Sequence, residues 1–139
     1  MASTPRILLL ACYELGHQPL SLAWPTAVLR EAGFGVTAVD LAVSDFPLAT
    51  ASRADMVAIA VPMHTALRLG VQAAERVRAV NPDATLVYYG MYAWLNRDYL
   101  LQTGADGIIA GEYEQPLLAL AQALATNDPL ASVPGLTTA

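Results

Sequence analysis

Short apolar runs alternate with longer segments of mixed polarity along most of this chain. Each run is five to eight residues long and nearly continuous in apolar side chains, which is typical of a strand buried on both faces. A sheet built from such strands needs helices against both of its faces. The runs predict five strands, at residues 6–13, 35–41, 55–61, 84–90 and 106–110.

Apolar residues at helical spacing follow the predicted strands. The clearest amphipathic helix covers residues 65–80, with Leu69, Ala73 and Val77 on its apolar face. The same spacing predicts further helices at residues 20–32, 97–103 and 115–125, and a weak one within residues 42–54.

Two of these connections carry additional signals. In segment 20–32, Ser21 is a possible N-cap, and Pro25 fits the first turn of a helix that begins late. Segment 91–96 predicts a loop, and if that loop is extended, Tyr92 and Trp94 lie on the same side of it.

The alternation of strands and helices predicts the fold. Strands that are separated by helices pair in parallel through right-handed crossovers. We therefore expect an α/β fold with a doubly wound, five-stranded parallel sheet of the flavodoxin-like or Rossmann-like kind, in the order 2-1-3-4-5. Residues 127–139 contain Pro129 and Pro134 and show no periodicity, so they predict a linker that follows a domain at residues 1–126.

The composition agrees with one buried sheet. The chain has 139 residues, of which 55% are hydrophobic and only 14% are charged, and its mean hydropathy is +0.43. These values suit a single domain and also allow a surface that a partner covers. No apolar run reaches the roughly 18 residues that a membrane span needs. The short N-terminus does not resemble a signal peptide, so we expect a cytoplasmic protein without membrane contact.

The charged residues and the cysteine exclude several classes of site. The net charge is -5, there is no lysine, and the seven arginines are scattered, so we expect no nucleic-acid partner. A chain without lysine has no Walker-type phosphate loop and forms no Schiff base. The single Cys12 rules out an internal disulfide and a cysteine-based zinc or iron–sulfur site within this chain, and we expect it to be buried and inert.

Loops that follow the predicted strands should meet at one edge of the sheet, where open α/β sheets bind their ligands. These loops offer aromatic and sulfur-containing side chains, carboxylates and glycines but no lysine, which favours a broad, weakly charged ligand over a phosphate. We expect no catalytic residue and no metal ligand among them. The predicted cofactor-binding residues are Glu14, Gly16, His17, Met63, His64, Thr65, Gly90, Met91, Tyr92, Gly111 and Glu112.

Simpler roles remain open for several of these residues. Carboxylates such as Glu112 and the nearby Glu114 also favour a helix N-terminus, and Gly90 and Gly111 also suit turns. The aromatic residues of segment 91–96 suit ligand stacking, a cap on the core or a partner interface equally well.

The order of motifs resembles a known family. The chain reads E-A-G-F-G-V at 31–36, A-D-M-V-A-I-A-V-P-M-H-T at 54–65, N-P-D-A-T-L-V-Y-Y-G at 81–90 and G-A-D-G-I-I-A-G-E-Y-E at 104–114. This pattern resembles the N-terminal cobalamin-binding-type domain of B12-dependent radical SAM proteins. The resemblance covers about residues 6–136, and G-E-Y-E after the fifth strand is its most specific element.

The resemblance implies that the domain holds a base-off corrinoid over the carboxyl ends of the strands. The nucleotide tail of that corrinoid would reach down between strands one and three. It also implies a radical SAM barrel on a missing part of the same polypeptide, which would carry a 4Fe–4S cluster and S-adenosylmethionine. Methyl transfer or related radical chemistry would then belong to the parent enzyme and not to this chain alone.

The sequence departs from the family pattern in two places. G-H-Q-P at 16–19 lacks the D-x-H-x-x-G motif whose histidine binds cobalt, and Tyr89-Gly90 replaces a pair of glycines after strand four. A degenerate scaffold that binds no corrinoid therefore remains an alternative. A flavodoxin-like flavin-binding domain, with Trp94 or Tyr92 stacked on the flavin, is a further one.

Overall fold

In the computed structural model, which describes residues 4–13 and 19–139, six strands form one sheet. The sheet order is β2-β1-β3-β4-β5-β6; the first five strands pair in parallel and the sixth is antiparallel. The predicted order of the parallel strands is thereby confirmed. The strands are β1 Arg6–Ala11, β2 Gly35–Asp40, β3 Met56–Ala60, β4 Thr85–Tyr89, β5 Gly107–Ile109 and β6 Leu136–Thr137.

Helices cover both faces of the sheet, as nearly continuous apolar strands require. They are α1 Leu20–Glu31, α2 Leu48–Arg53, α3 His64–Val80, α4 Met91–Leu95, α5 Arg97–Gln102 and α6 Glu114–Thr126. One hydrophobic core lies under α1 and α6, and a second lies under α2 to α5 on the opposite face. Within the described ranges, no helix is both long and apolar enough to cross a bilayer.

The end of the chain differs from the prediction of a linker and raises the strand count to six. Residues Leu130–Ser132 form a 3-10 helix, and β6 then pairs with β5 through Leu136 and Ile109. Gly107 makes room for this strand, because a Cβ there would lie only 2.5 Å from Leu136 Cδ1. The tail thus completes one edge of the sheet. That a further domain follows it remains a prediction.

Three local predictions about helices are wrong. Segment 91–96 forms the short helix α4 rather than a loop. Helix α1 has Pro19 at its N-cap position, so Ser21 is buried inside the helix and is not its N-cap, and Pro25 lies within the helix. Leu69 of α3 is exposed, while the buried face of that helix includes Ala73 and Val77.

Truncating Val133 tests whether the tail belongs to the fold. Val133 is only 5% exposed, so Val133→Ala should lower the free energy of unfolding by about 2 kcal/mol through lost apolar contact and a small cavity. Val43 is 81% exposed, and Val43→Ala is the matched control, with a change within about 0.5 kcal/mol. Equal urea midpoints for the two variants would contradict a packed tail.

Candidate functional site

The parallel register places the last residues of four strands in one row. Ala11 of β1 lies beside Ala60 of β3, Ala60 beside Tyr89 of β4, and Tyr89 beside Ile109 of β5. The segments that follow these residues therefore emerge at the same carboxyl edge, as predicted. We call this edge the rim, and define its described part as residues 61–65, 90–92 and 110–114.

Gly90 is explained by contact with the protein's own backbone. Its φ is +114°, and a Cβ there would lie 2.9 Å from the carbonyl oxygen of Val61. The Gly90 amide donates to the Ile109 carbonyl at 3.0 Å, and the Tyr92 amide donates to the Val61 carbonyl at 3.2 Å. A side chain at position 90 would push β3 and β4 apart, so the close approach served by this glycine is internal. Ligand contact at Gly90 stays a prediction.

Gly111 has the opposite surroundings. Its φ is +51°, and among the described residues no atom beyond its chain neighbours lies within 4 Å of the position that a Cβ would take. Glu112 beside it is exposed and lies outside the helix, whereas Glu114 is the first residue of α6. The helix-terminus role weighed for both carboxylates therefore fits Glu114, because it lies in the first turn. In the described part of the rim, Gly111 thus has open space beside it, and Glu112 is exposed.

Met63, His64 and Tyr92 lie together between the ends of β3 and β4. The rings of His64 and Tyr92 meet edge-on with centroids 6.1 Å apart. Met63 and Tyr92 also pack against the core under α3, so both are partly structural. His64 and Thr65 line a cavity of about 290 Å³ together with Arg68. Arg68 was not among the residues predicted for this edge, and it brings a positive charge to the cavity.

The helix α4 carries exposed apolar surface. Met91 is 68% exposed and Leu95 is 63% exposed. Tyr92 and Trp94 lie about 200° apart around the helix, because each residue turns it by about 100°, so they do not share a side. Tyr92 packs inward, while Trp94 is partly exposed and stacks with Arg97 at 4.2 Å. Trp94 therefore already has a cation partner and lies outside the rim. Of the large side chains of α4, Met91 and Tyr92 belong to the rim.

Glu14, Gly16 and His17 lie outside the described residues. Their predicted contacts with a ligand therefore stay predictions. Among residues 4–13 and 19–139, no group of three histidine, cysteine, aspartate or glutamate side chains is arranged to hold a metal ion.

Tyr89, the last residue of β4 and the one directly before the rim, has a role that the sequence did not indicate. It is fully buried, and its hydroxyl donates to the Ser21 carbonyl of α1 at 2.6 Å. The usual helical donor to that carbonyl is the N–H four positions on, which is missing because residue 25 is a proline. The ring of Tyr89 also lies 4.8 Å from that of Tyr113. A proline inside a helix signals a freed carbonyl, but the sequence does not say which side chain satisfies it.

Cys12 follows β1 and is buried, as predicted. Burial, with a smaller contribution from the Asp40 carboxylate, raises the pKa of its thiol from 9.0 to about 11. The thiol is therefore protonated at neutral pH and is a poor nucleophile. Burial raises the pKa of the Tyr88 hydroxyl on the same face as well.

Comparisons with known proteins agree with this architecture. A family model described as the B12 binding domain matches residues 6–121. The comparison with curated proteins gives no match.

Several solved structures share the fold. One is the radical S-adenosylmethionine methyltransferase TsrM from Kitasatospora setae, with cobalamin and a 4Fe–4S cluster bound. It is 21% identical in sequence with a TM-score of 0.76, and the match covers 96% of this chain and 27% of TsrM. A second TsrM structure, with tryptophan and a SAM analogue, is 22% identical with a TM-score of 0.76, covering 96% and 28%. A flavodoxin from the domain Archaea is 12% identical with a TM-score of 0.52, covering 91% and 98%. This chain thus spans about a quarter of the length of TsrM.

A double-mutant cycle tests the link between Tyr89 and α1. Tyr89→Phe should lower the free energy of unfolding by about 1–3 kcal/mol, because it leaves the buried Ser21 carbonyl without this donor. In a Pro25→Ala background, the N–H of residue 25 can donate to that carbonyl. Tyr89→Phe should then lower the free energy of unfolding by less than half as much. Urea unfolding of the four proteins measures the coupling. Equal losses in both backgrounds would contradict the link.

The raised pKa of Cys12 predicts a loss of stability in alkali. The pKa of the thiol is higher in the folded protein than in the unfolded chain. Its contribution to the free energy of unfolding is therefore complete below about pH 9 and is lost as the pH rises through about 11. Between pH 8 and pH 10.5, the free energy of unfolding should therefore fall by about 1–2 kcal/mol less in Cys12→Ala than in the unchanged protein. Urea unfolding at the two pH values checks this. A decline of the same size in both proteins would contradict it.

Proposed function

Because this chain belongs to the family of B12-binding domains, we propose that it holds cobalamin at the rim of its sheet. The observation that carries the proposal is the open rim at Gly111, which lies next to the exposed carboxylate of Glu112. A corrin ring is broad and decorated with amides, so it needs flat access and hydrogen-bonding groups rather than a phosphate cradle. A chain without lysine suits such a ligand.

The residues present at the rim fit this ligand. The backbone at Gly111 allows close approach, and Glu112 accepts hydrogen bonds from amide N–H groups. Met91 and Tyr92 add apolar and aromatic surface on the neighbouring segment, and His64 and Thr65 add polar groups at the end of β3. We propose that these residues hold and orient the corrin ring, together with Met63, Gly90 and the predicted residues Glu14, Gly16 and His17.

We further propose that the cobalamin is held base-off. The resemblance to the cobalamin-binding-type domain of B12-dependent radical SAM proteins implies this state. The proposed role is that of a cofactor holder in a longer radical SAM enzyme. Cobalamin supplies the methyl-transfer chemistry, and an iron–sulfur cluster and S-adenosylmethionine lie on a barrel outside this chain.

Exposed apolar side chains near the rim support a covering domain. Met91 and Leu95 extend from α4, and Leu20 and Trp24 extend from the first turns of α1, which starts at the same edge. Trp24 is 65% exposed, and large apolar surfaces of this kind mark contacts with other proteins or domains. A barrel placed over the rim would bury these side chains and would close the cofactor between the two domains.

A second candidate is a scaffold that binds no corrinoid. The observation that favours it is Tyr89, whose fully buried ring fills space directly below the rim. Such a domain would keep the fold and serve only to contact the barrel. A flavin-binding role is a third candidate, supported only by the shared fold.

A binding experiment separates these candidates. The purified chain is mixed with hydroxocobalamin and passed through a gel-filtration column while the visible spectrum is recorded. We expect the corrinoid absorbance to co-elute with the protein. Elution of all colour with the small molecules, for this chain and for the full-length protein, would rule out cobalamin binding and leave the scaffold; a yellow preparation would favour a flavin.

A bulky residue at position 111 tests the place of binding. Gly111→Leu should weaken hydroxocobalamin binding by about tenfold or more, equivalent to about 1.4 kcal/mol, because it fills the open part of the rim. Gly104→Leu is the matched control, since Gly104 also has a positive φ (+109°) and open surroundings but precedes β5 at the opposite edge. Both variants introduce backbone strain. Equal affinities of the two variants would contradict a site at Gly111.

A further inference from the structure

We propose that Tyr89 competes with the lower base of base-off cobalamin for one internal space, so that this site binds corrinoids without a nucleotide tail at least as tightly as cobalamin. The inference rests on the proposed function, because it concerns the same rim. It assigns Tyr89 as the residue that determines which corrinoid is preferred.

The space in question lies below the rim on the α1 face of the sheet. The switch point of the sheet lies between β1 and β3, where ligands of open α/β sheets enter. At that point the last residues facing α1 and α6 are Ala11 and Ala60, which leave room above the strands because their side chains are small. A planar base that descends from the rim would enter here.

Tyr89 already fills this room. It lies on β4, beside Ala60, yet its hydroxyl reaches Ser21 in the first turn of α1. Because α1 packs over β1 and β2, the tyrosine side chain has to cross the end of β3 to make this bond. The side chain is 0% exposed, so no solvent-accessible space remains around it.

Two of the contacts between described residues hold the ring in place. The hydrogen bond to the Ser21 carbonyl is short, at 2.6 Å, and takes the place of the helical donor that Pro25 lacks. The Tyr113 ring packs against the same tyrosine at 4.8 Å and connects it to the segment that carries Gly111. A base that entered would have to displace both contacts.

Displacement of this kind lowers affinity only for ligands that need the space. A ligand that binds only a minor conformation has its apparent affinity reduced by the population of that conformation. Cobalamin with its base extended carries this penalty. Cobinamide, which keeps the corrin ring but lacks the nucleotide, binds the rim without moving Tyr89.

The experiment compares the two corrinoids on variants of the whole chain. Hydroxocobalamin and diaquocobinamide are titrated into the unchanged protein, Tyr89→Ala, Tyr89→Phe and Tyr88→Ala by visible absorbance. Tyr88 is the matched control, because it is an equally buried tyrosine next along β4 that faces the opposite core. Tyr89→Phe keeps the ring and loses only the hydroxyl, so it tests the idea even if the alanine variant does not fold.

In the unchanged protein we expect cobinamide to bind at least as tightly as cobalamin. Tyr89→Ala should shift the ratio of the two dissociation constants toward cobalamin by about tenfold or more, and Tyr89→Phe by about threefold in the same direction. Tyr88→Ala should leave the ratio within about twofold of its original value.

The possible failures are distinguishable. If cobalamin binds the unchanged protein more tightly than cobinamide does, or if Tyr88→Ala shifts the ratio as far as the Tyr89 variants do, the role of Tyr89 is overturned while the proposed function stands. If neither corrinoid binds any variant or the unchanged protein, both the proposed function and this inference fail.

Discussion

The parallel pairing of β1, β3, β4 and β5 is the constraint on which the rest of the structure depends. Its register places Ala11, Ala60, Tyr89 and Ile109 in one row, so the connections after these strands emerge together. A shift of one residue in any strand would exchange its two buried faces and would also move its connection away from the others. The rim is therefore a consequence of strand pairing, and its chemistry comes from the few residues that follow each strand.

The residues above and below this row have different roles. Above it, Gly111 leaves open space at the rim, while Gly90 closes the backbone between β3 and β4. Below it, Tyr89 fills the layer under α1 and satisfies the carbonyl freed by Pro25. The hydrogen bond that stabilises the packing of α1 on the sheet thus lies directly under the proposed cofactor. Stability and ligand choice are coupled at one side chain.

Much of the fold could be predicted from the sequence, because its strands are continuous apolar runs and its long helix α3 has a clear period. The sixth strand could not be predicted, since Leu136–Thr137 is too short to show a period. It forms because Ile109 of β5 pairs with it and Gly107 leaves room for the Leu136 side chain. The loop expected at 91–96 is a helix because Gly90 turns the chain and the Trp94 amide then donates to its carbonyl. The meeting of the strand ends was predictable from topology, whereas the partner of the Tyr89 hydroxyl depends on tertiary contacts alone.

The most direct test of a corrinoid at the rim is a map of backbone amide shifts in the ¹⁵N-labelled chain on addition of hydroxocobalamin. We predict that the amides of Met91, Gly111 and Glu112 shift strongly, since a large conjugated ring would lie against them. The amides of Gly33 and Gly104, at the opposite edge of the sheet, should not move. Shifts concentrated at that opposite edge, or no shifts at saturating corrinoid, would contradict the account.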